Sequence, residues 1–304
     1  PFTIFDLMGI SFGNEREKSL NIASVIEPSP IVIREISEGT TAINLSNKKL
    51  AHGLIDRTDN ATKHYLNSKF SNNLNPVICY QRSNTLAKIL RGLMVTNCLE
   101  TDVVIDTKNN KVLIYHPPKE NNTGLTLKKL IETTNKNKNK SLWIDAKNLN
   151  TEKNCNIFLS NSSSISKNNL NILIELPSNT HKVNEGFNKC IQKLRKTDNL
   201  FISYYVPTKE AIECSEKLSL GKKFKNIKDC SVLKGIFNNI NRSKMFTDIS
   251  FDYRGILAIK ELFNMGLVKN MLWNSWNIEI DSFSNNDFSK FRLIIPKNND
   301  PNNL

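Results

Sequence analysis

Residues 76–105 run PVICYQRSNTLAKILRGLMVTNCLETDVVI, and the fold is read from this stretch. Pro76 to Tyr80 is an apolar run with the length and β-branched content of a buried strand. Asn84 then stands as a helix cap ahead of Leu86, Ile89, Leu90, Leu93 and Met94, whose spacing puts them on one face of a helix through Thr96. Leu99 to Ile105 is apolar again and reads as a second strand. A strand, a helix and a strand of these lengths form a parallel βαβ unit.

Working outward, the unit repeats. Val112 to Tyr115 reads as a short extra strand after a Lys-Asn-Asn turn, Thr126 opens a helix through Thr133, and Leu142 to Ala146 is a third strand. Beyond it, Ile172 to Leu176, Leu200 to Val206, Ile249 to Tyr253 and Met271 to Ile280 read as strands, the last of them closing the sheet. The intervening helices are expected over Asn184–Lys196, Lys209–Leu218 (started by Pro207 and Thr208), Ser231–Ile240 and Gly255–Met265. About eight strands with no dinucleotide glycine fingerprint predict an α/β protein, a (β/α)8 TIM barrel and not an open doubly wound sheet. The barrel is assigned to residues 71–290. Residues 1–70 stand outside the rhythm as an N-terminal extension or lid, with a strand at Ile31–Ile36 and a helix at Ala61–Phe70, and residues 291–304 read as a flexible tail.

Composition bounds the function classes. In 304 residues, 39% hydrophobic content gathered in dense runs excludes a disordered chain. The net charge of +13 lies largely in Lys-Asn segments such as Asn135 to Lys140, which read first as solvated loops. Such a field still draws an anionic substrate or an acidic membrane surface. Nucleic acid is disfavoured as a partner, because no basic-aromatic interleaving or binding motif accompanies the charge. The six cysteines contain no CxxC pair, which argues against a zinc knuckle or a thioredoxin-type site. Cys79 and Cys98 sit in apolar runs and read as core; a disulfide among the other four is left open, and the redox compartment with it. No run reaches the ~20 apolar residues of a membrane helix. The chain opens at Pro1 with an apolar stretch to Phe12 and is read as an exported or anchored form from which a signal or anchor is missing.

In such a barrel the active site lies at the carboxyl ends of the strands. The second strand carries Glu100 and Asp102, two residues apart and so on one face, among apolar Leu99, Val103 and Val104. Asp145 and Lys147 share a face at the end of the third strand. Burying these acids among apolar neighbours is costly unless they are paired or metal-bound, and three converging carboxylates are a hard-oxygen site for Mg²⁺ or Ca²⁺. The competing reading makes them surface acids paired with nearby lysines. His116, following a strand and preceding Pro117-Pro118, is a candidate general acid or base; His52, His64 and His181 lack such a setting. Glu175 is a fourth candidate carboxylate. Tyr204 is a candidate substrate contact, and Trp273 and Trp276, with Asn274 and Asn277 on the same last strand, are candidates to line the pocket and stack on a sugar or glycerol moiety; barrel core or rim packing is the alternative for the tryptophans.

Taken in order, Tyr80-Gln81-Arg82-Ser83-Asn84-Thr85, Glu100-Thr101-Asp102-Val103, His116-Pro117-Pro118, Leu125-Thr126-Leu127 and Trp143-Ile144-Asp145-Ala146-Lys147 resemble the front half of a glycerophosphodiester phosphodiesterase-like barrel. The His-Pro-Pro and Asp-x-Lys elements are most similar to its menorin branch. Ile202 to Thr208 and Phe251-Asp252-Tyr253-Arg254 are compatible with that branch, so the resemblance spans residues 76 to 280. It implies metal-dependent cleavage of a glycerophosphodiester-like or phospholipid-derived substrate, with the metal on Glu100, Asp102 and Asp145, the phosphate on Arg82 and Lys147, and proton transfer by His116. The family's first strand ends in histidine where this chain has Gln81, which cannot exchange a proton near neutral pH. The alternative implied is therefore a catalytically impaired barrel that binds a phosphorylated ligand or partner. A third class, a basic protein docking on an acidic polymer or membrane, predicts strong salt dependence and indifference to Glu100.

Overall fold

The computed structural model describes residues 77–135, 140–162, 170–182, 184–278 and 290–297. The readings of residues 1–70, and of the tail beyond 297, lie outside these. The strands are β1 (Val77–Tyr80), β2 (Cys98–Asp106), β3 (Lys111–Ile114), β4 (Ser141–Ala146), β5 (Asn171–Leu176), β6 (Leu200–Tyr205), β7 (Asp248–Asp252), β8 (Leu272–Ile278) and β9 (Phe291–Pro296). All but β3 are parallel neighbours in one ring, closed where β1 pairs with both β9 and β2. This is the (β/α)8 barrel expected. The helices are α1 (Leu86–Val95), α2 (Leu127–Asn135), α3 (Glu152–Asn161), α4 (Glu185–Arg195), α5 (Thr208–Ser219), α6 (Lys228–Ser243) and α7 (Ile256–Asn264). Among the described residues, no helix is long and apolar enough to cross a membrane.

Strand parity sorts the side chains into two layers. Cys79, Cys98, Trp143, Leu173, Leu293 and Ile295 form a buried cluster inside the ring, with Val77, Phe201 and Trp276 against it. At the amino ends of the strands, buried Asp248 accepts a hydrogen bond from Arg292 at 2.7 Å, and the Arg292 guanidinium lies 3.6 Å from the centre of the Phe201 ring. That pair fills the end of the barrel away from the carboxyl ends. Outside the ring, α1 turns Ile89 and Leu93 inward. It packs so closely that a Cβ at Gly92 would stand 2.5 Å from Leu99 and 2.9 Å from Tyr80.

Four sequence readings change. Phe291–Pro296, read as tail, is the last barrel strand: it pairs with β1 and β8, so β8 does not close the sheet. Cys79 and Cys98 are core residues as expected, and they are also joined to each other; they face one another across β1 and β2, close enough to bond. The other four pair as Cys155–Cys190 and Cys214–Cys230, leaving no free cysteine. The cap of α1 is Thr85, whose side chain accepts from the Lys88 N–H, while Asn84 is drawn into the barrel mouth. Helix α3 was not anticipated.

Candidate metal and phosphate site

At the carboxyl ends of β1, β2 and β4, three segments converge. Glu100 and Asp102 are inward-facing positions of β2 and are almost wholly buried, at 6% and 2% exposure. Asp145 lies opposite Asp102 in the β2–β4 register, so a third carboxylate arrives at the same level. One oxygen from each of the three lies within 4.8 Å of the others. Among the described residues this is the one such grouping of acidic, histidine or cysteine side chains.

Each acid is held by its neighbours. The turn after β1 puts Arg82 at φ +50°, which aims its backbone N–H at Glu100 Oε2, 2.6 Å away. Ser83 N–H donates to the Glu100 carbonyl at 2.8 Å. Asp102 Oδ2 accepts from Asn84 Nδ2 at 2.7 Å, while Asp102 Oδ1 faces Lys147 Nζ at 2.6 Å. The same ammonium is ion-paired with Asp145. Lys147 is itself anchored by its N–H on the Val103 carbonyl, 2.9 Å away.

The electrostatics follow from burial. Loss of water pushes the Glu100 carboxyl well above the ordinary carboxylate range, with the charges of Asp102 and Asp145 adding to the rise. Burial raises Asp145 as well, against the pull of Lys147. Glu175, level with Asp145 on β5, is pushed well up by burial and by that neighbour's charge, although Ser250 and the Trp143 indole N–H (3.1 Å) bond to it. Burial alone would lower the Lys147 ammonium, but Asp145 and Asp102 outweigh it and hold it protonated beyond the usual lysine value.

These groups line a cavity of about 200 Å³. One side is polar, with Gln81, Arg82, His116 and Lys147 around the acids; the other is formed by Trp143, Tyr205 and Trp276. Tyr205 and Trp276 stack with centroids 5.4 Å apart. Eight of the ten expected site positions line this cavity. Gln81, Arg82, Glu100, Asp102, His116, Asp145, Lys147 and Glu175 all reach the cavity, and Tyr204 does not. Tyr204 points outward, where its hydroxyl bonds to the Ser178 carbonyl at 2.7 Å and packs against Phe237 and Phe246. The tenth, Trp273, also faces out, among Phe251, Phe263 and Phe291. Trp276, the other tryptophan expected at the pocket, does line it, and Tyr205 takes the place expected of Tyr204. His181 lies beside Tyr204 and bonds to the Ser178 carbonyl, away from the cavity.

The donor set fits a divalent cation. Three carboxylates supply hard oxygens close together, and the burial and like charges that raise Glu100 are both costs that a cation would offset.

No protein-family model matches the chain, and no curated protein matches it. Among solved structures, it is similar to a glycerophosphodiester phosphodiesterase from Parabacteroides distasonis ATCC 8503, with 12% identity, a TM-score of 0.46, and coverage of 74% of this chain and 94% of that one. A glycerophosphoryl diester phosphodiesterase from the same strain aligns at 11% identity over 79% of this chain and 88% of its own, with a TM-score of 0.42. A mandelate racemase/muconate lactonizing family protein from Azoarcus sp. EbN1 aligns at 11% identity over 90% and 65%, with a TM-score of 0.38.

Proposed function

We propose that the chain is a metal-assisted phosphodiesterase acting on a small phosphodiester of the glycerophosphodiester or phospholipid-derived kind. The observation that carries this is the meeting, in one cavity, of the Glu100–Asp102–Asp145 cluster with Arg82, Lys147 and His116. The ordered motifs that carry these residues support the same family, and His116-Pro117-Pro118 with Asp145-x-Lys147 favours its menorin branch.

Glu100, Asp102 and Asp145 would hold the ion, Mg²⁺ or Ca²⁺. When bound it supplies Lewis-acid polarisation of a non-bridging phosphoryl oxygen. The chain's own side chains do the remaining work. Arg82 offers a planar fork to the phosphate and Lys147 a fixed point charge. His116 is the one histidine among the described cavity residues and carries the proton. Gln81 orients the phosphate or water through its amide without exchanging a proton. Trp143, Tyr205 and Trp276 give the cavity a wall that sheds water and strengthens these charges. The net charge of +13 favours an anionic substrate. Full pairing of the six cysteines fits a chain that matures in an oxidising compartment, consistent with export.

Gln81 favours a second reading, a barrel that binds a phosphorylated ligand without turning it over. Hydrolysis of bis(p-nitrophenyl) phosphate with and without Mg²⁺, Ca²⁺ or Mn²⁺, in the parent, His116→Ala and Gln81→His, separates the two. Metal-dependent turnover in the parent, lost in His116→Ala, is the result expected of the enzyme. A silent parent with activity appearing in Gln81→His selects the binding protein.

A further inference from the structure

We propose that Asn84 and Glu120 are positioning residues that fix His116 against Asp102. The loop that carries His116 is poor in backbone donors, because Pro117 and Pro118 have no N–H. The imidazole Nδ1 is buried and has no hydrogen-bond partner among the described residues, so no bond at that atom orients the ring. The place of His116 is therefore set through its main chain, and Glu120 holds that main chain from both sides. His116 N–H donates to Glu120 Oε2 at 2.9 Å, and Glu120 N–H donates to the His116 carbonyl at 2.8 Å.

Glu120 is in turn tied to the acid cluster. Its Oε2 also accepts from Asn84 Nδ2 at 2.8 Å, and the same nitrogen donates to Asp102 Oδ2 at 2.7 Å. Asn84 Oδ1 accepts from Asp102 N–H at 2.9 Å and from Thr101 Oγ1 at 3.0 Å. Both amide protons and both lone pairs are thus in use on a side chain that is 2% exposed. Aspartate here would set a third carboxylate against two others. The bridge joins the β1 turn, β2 and the loop after β3, each of which brings a different group to the cavity. It also commits Asp102 Oδ2, which leaves Oδ1 turned to Lys147.

The catalytic consequence rests on the reading of His116 as the proton carrier; the structural consequence does not. The test is histidine-selective ¹⁵N/¹³C NMR of the full chain, with the His116 signals identified by their loss in His116→Ala, run beside phosphodiester turnover in Mn²⁺. In Glu120→Ala the His116 ring signals shift while those of His181 stay in place. There kcat falls by about tenfold or more with KM changed less than about threefold, as a misplaced group acts on the chemical step. Glu120→Gln, whose amide oxygen still accepts from His116, restores both. Should Glu120→Ala not fold, Asn84→Ser, which withdraws the donor from Glu120, gives the same comparison. His116 signals that coincide with the parent's overturn the proposal. A parent without turnover overturns the phosphodiesterase reading alone, and the resonances then decide the positioning by themselves.

Discussion

Glu100 has a like charge two residues along its own strand and another on the next; Glu100 and Asp102 are shut away from water and Asp145 is half-buried. Two outcomes follow. Glu100→Gln or Asp145→Asn removes a ligand from the cluster, so the rise in melting temperature that Mg²⁺, Ca²⁺ or Mn²⁺ gives the parent disappears; an equal rise in parent and variants disproves the site. The second outcome concerns pH. Because the folded protein holds the Glu100 proton where the unfolded chain has lost it, metal-free stability from this group is greatest in acid. It declines as pH climbs from the ordinary carboxylate range through the raised value. Glu100→Gln does not titrate, so the difference in melting temperature between it and the metal-free parent should change across that window. A constant difference removes the claim. These acids were legible in sequence because charge inside an apolar strand is conspicuous. The aromatic wall was legible in part: Trp276 was expected at the pocket, but Tyr205 was not, since it stands beside Tyr204 and only the start of the strand decides which of the two points inward. Glu120 gave no signal at all: an acid in a Pro-Lys loop reads as solvated until its partners are seen.

The elements themselves declared their type by period, and two that did not show why. Helix α3 buries Asn154 along with Cys155, Ile157 and Phe158, so a polar residue interrupts its inner face and its apolar stripe is weak. β9 is four apolar residues with Arg292 and a terminal proline, following a Ser-Asn-Asp stretch, and only the missing partner of β1 calls for it. At α1 the close approach of helix to strand rests on one residue. Gly92→Ala drives a methyl into Leu99 and Tyr80, at the narrow join of β1 and β2. The expected loss is about 1–3 kcal/mol, as for other overpacked cores, read from urea unfolding. Lys140 closes the carboxyl end of the same helix, donating to the carbonyls of Leu93 and Thr96 at 3.0 and 2.6 Å.

For the molecule as a whole, the closed barrel could be read from residues 76 to 280, but the strand that closes it could not. Closure is a long-range event between β1 and β9, and nothing local in either strand announces it. The disulfides were equally hidden, because six cysteines admit about 15 pairings and spacing does not choose among them. The pairing found is the sequential one, 79 with 98, 155 with 190 and 214 with 230, at separations of 19, 35 and 16 residues. No bridge encloses or crosses another. A chain emerging from its amino end therefore presents each cysteine with its own partner before the next pair arrives, and synthesis order alone selects the native set. Reduced full-length chain, refolded all at once, loses that advantage. Peptide mapping should find one disulfide isomer in material oxidised during synthesis and a scrambled mixture at early times in refolding; scrambling in both would mean that emergence does not guide the pairing.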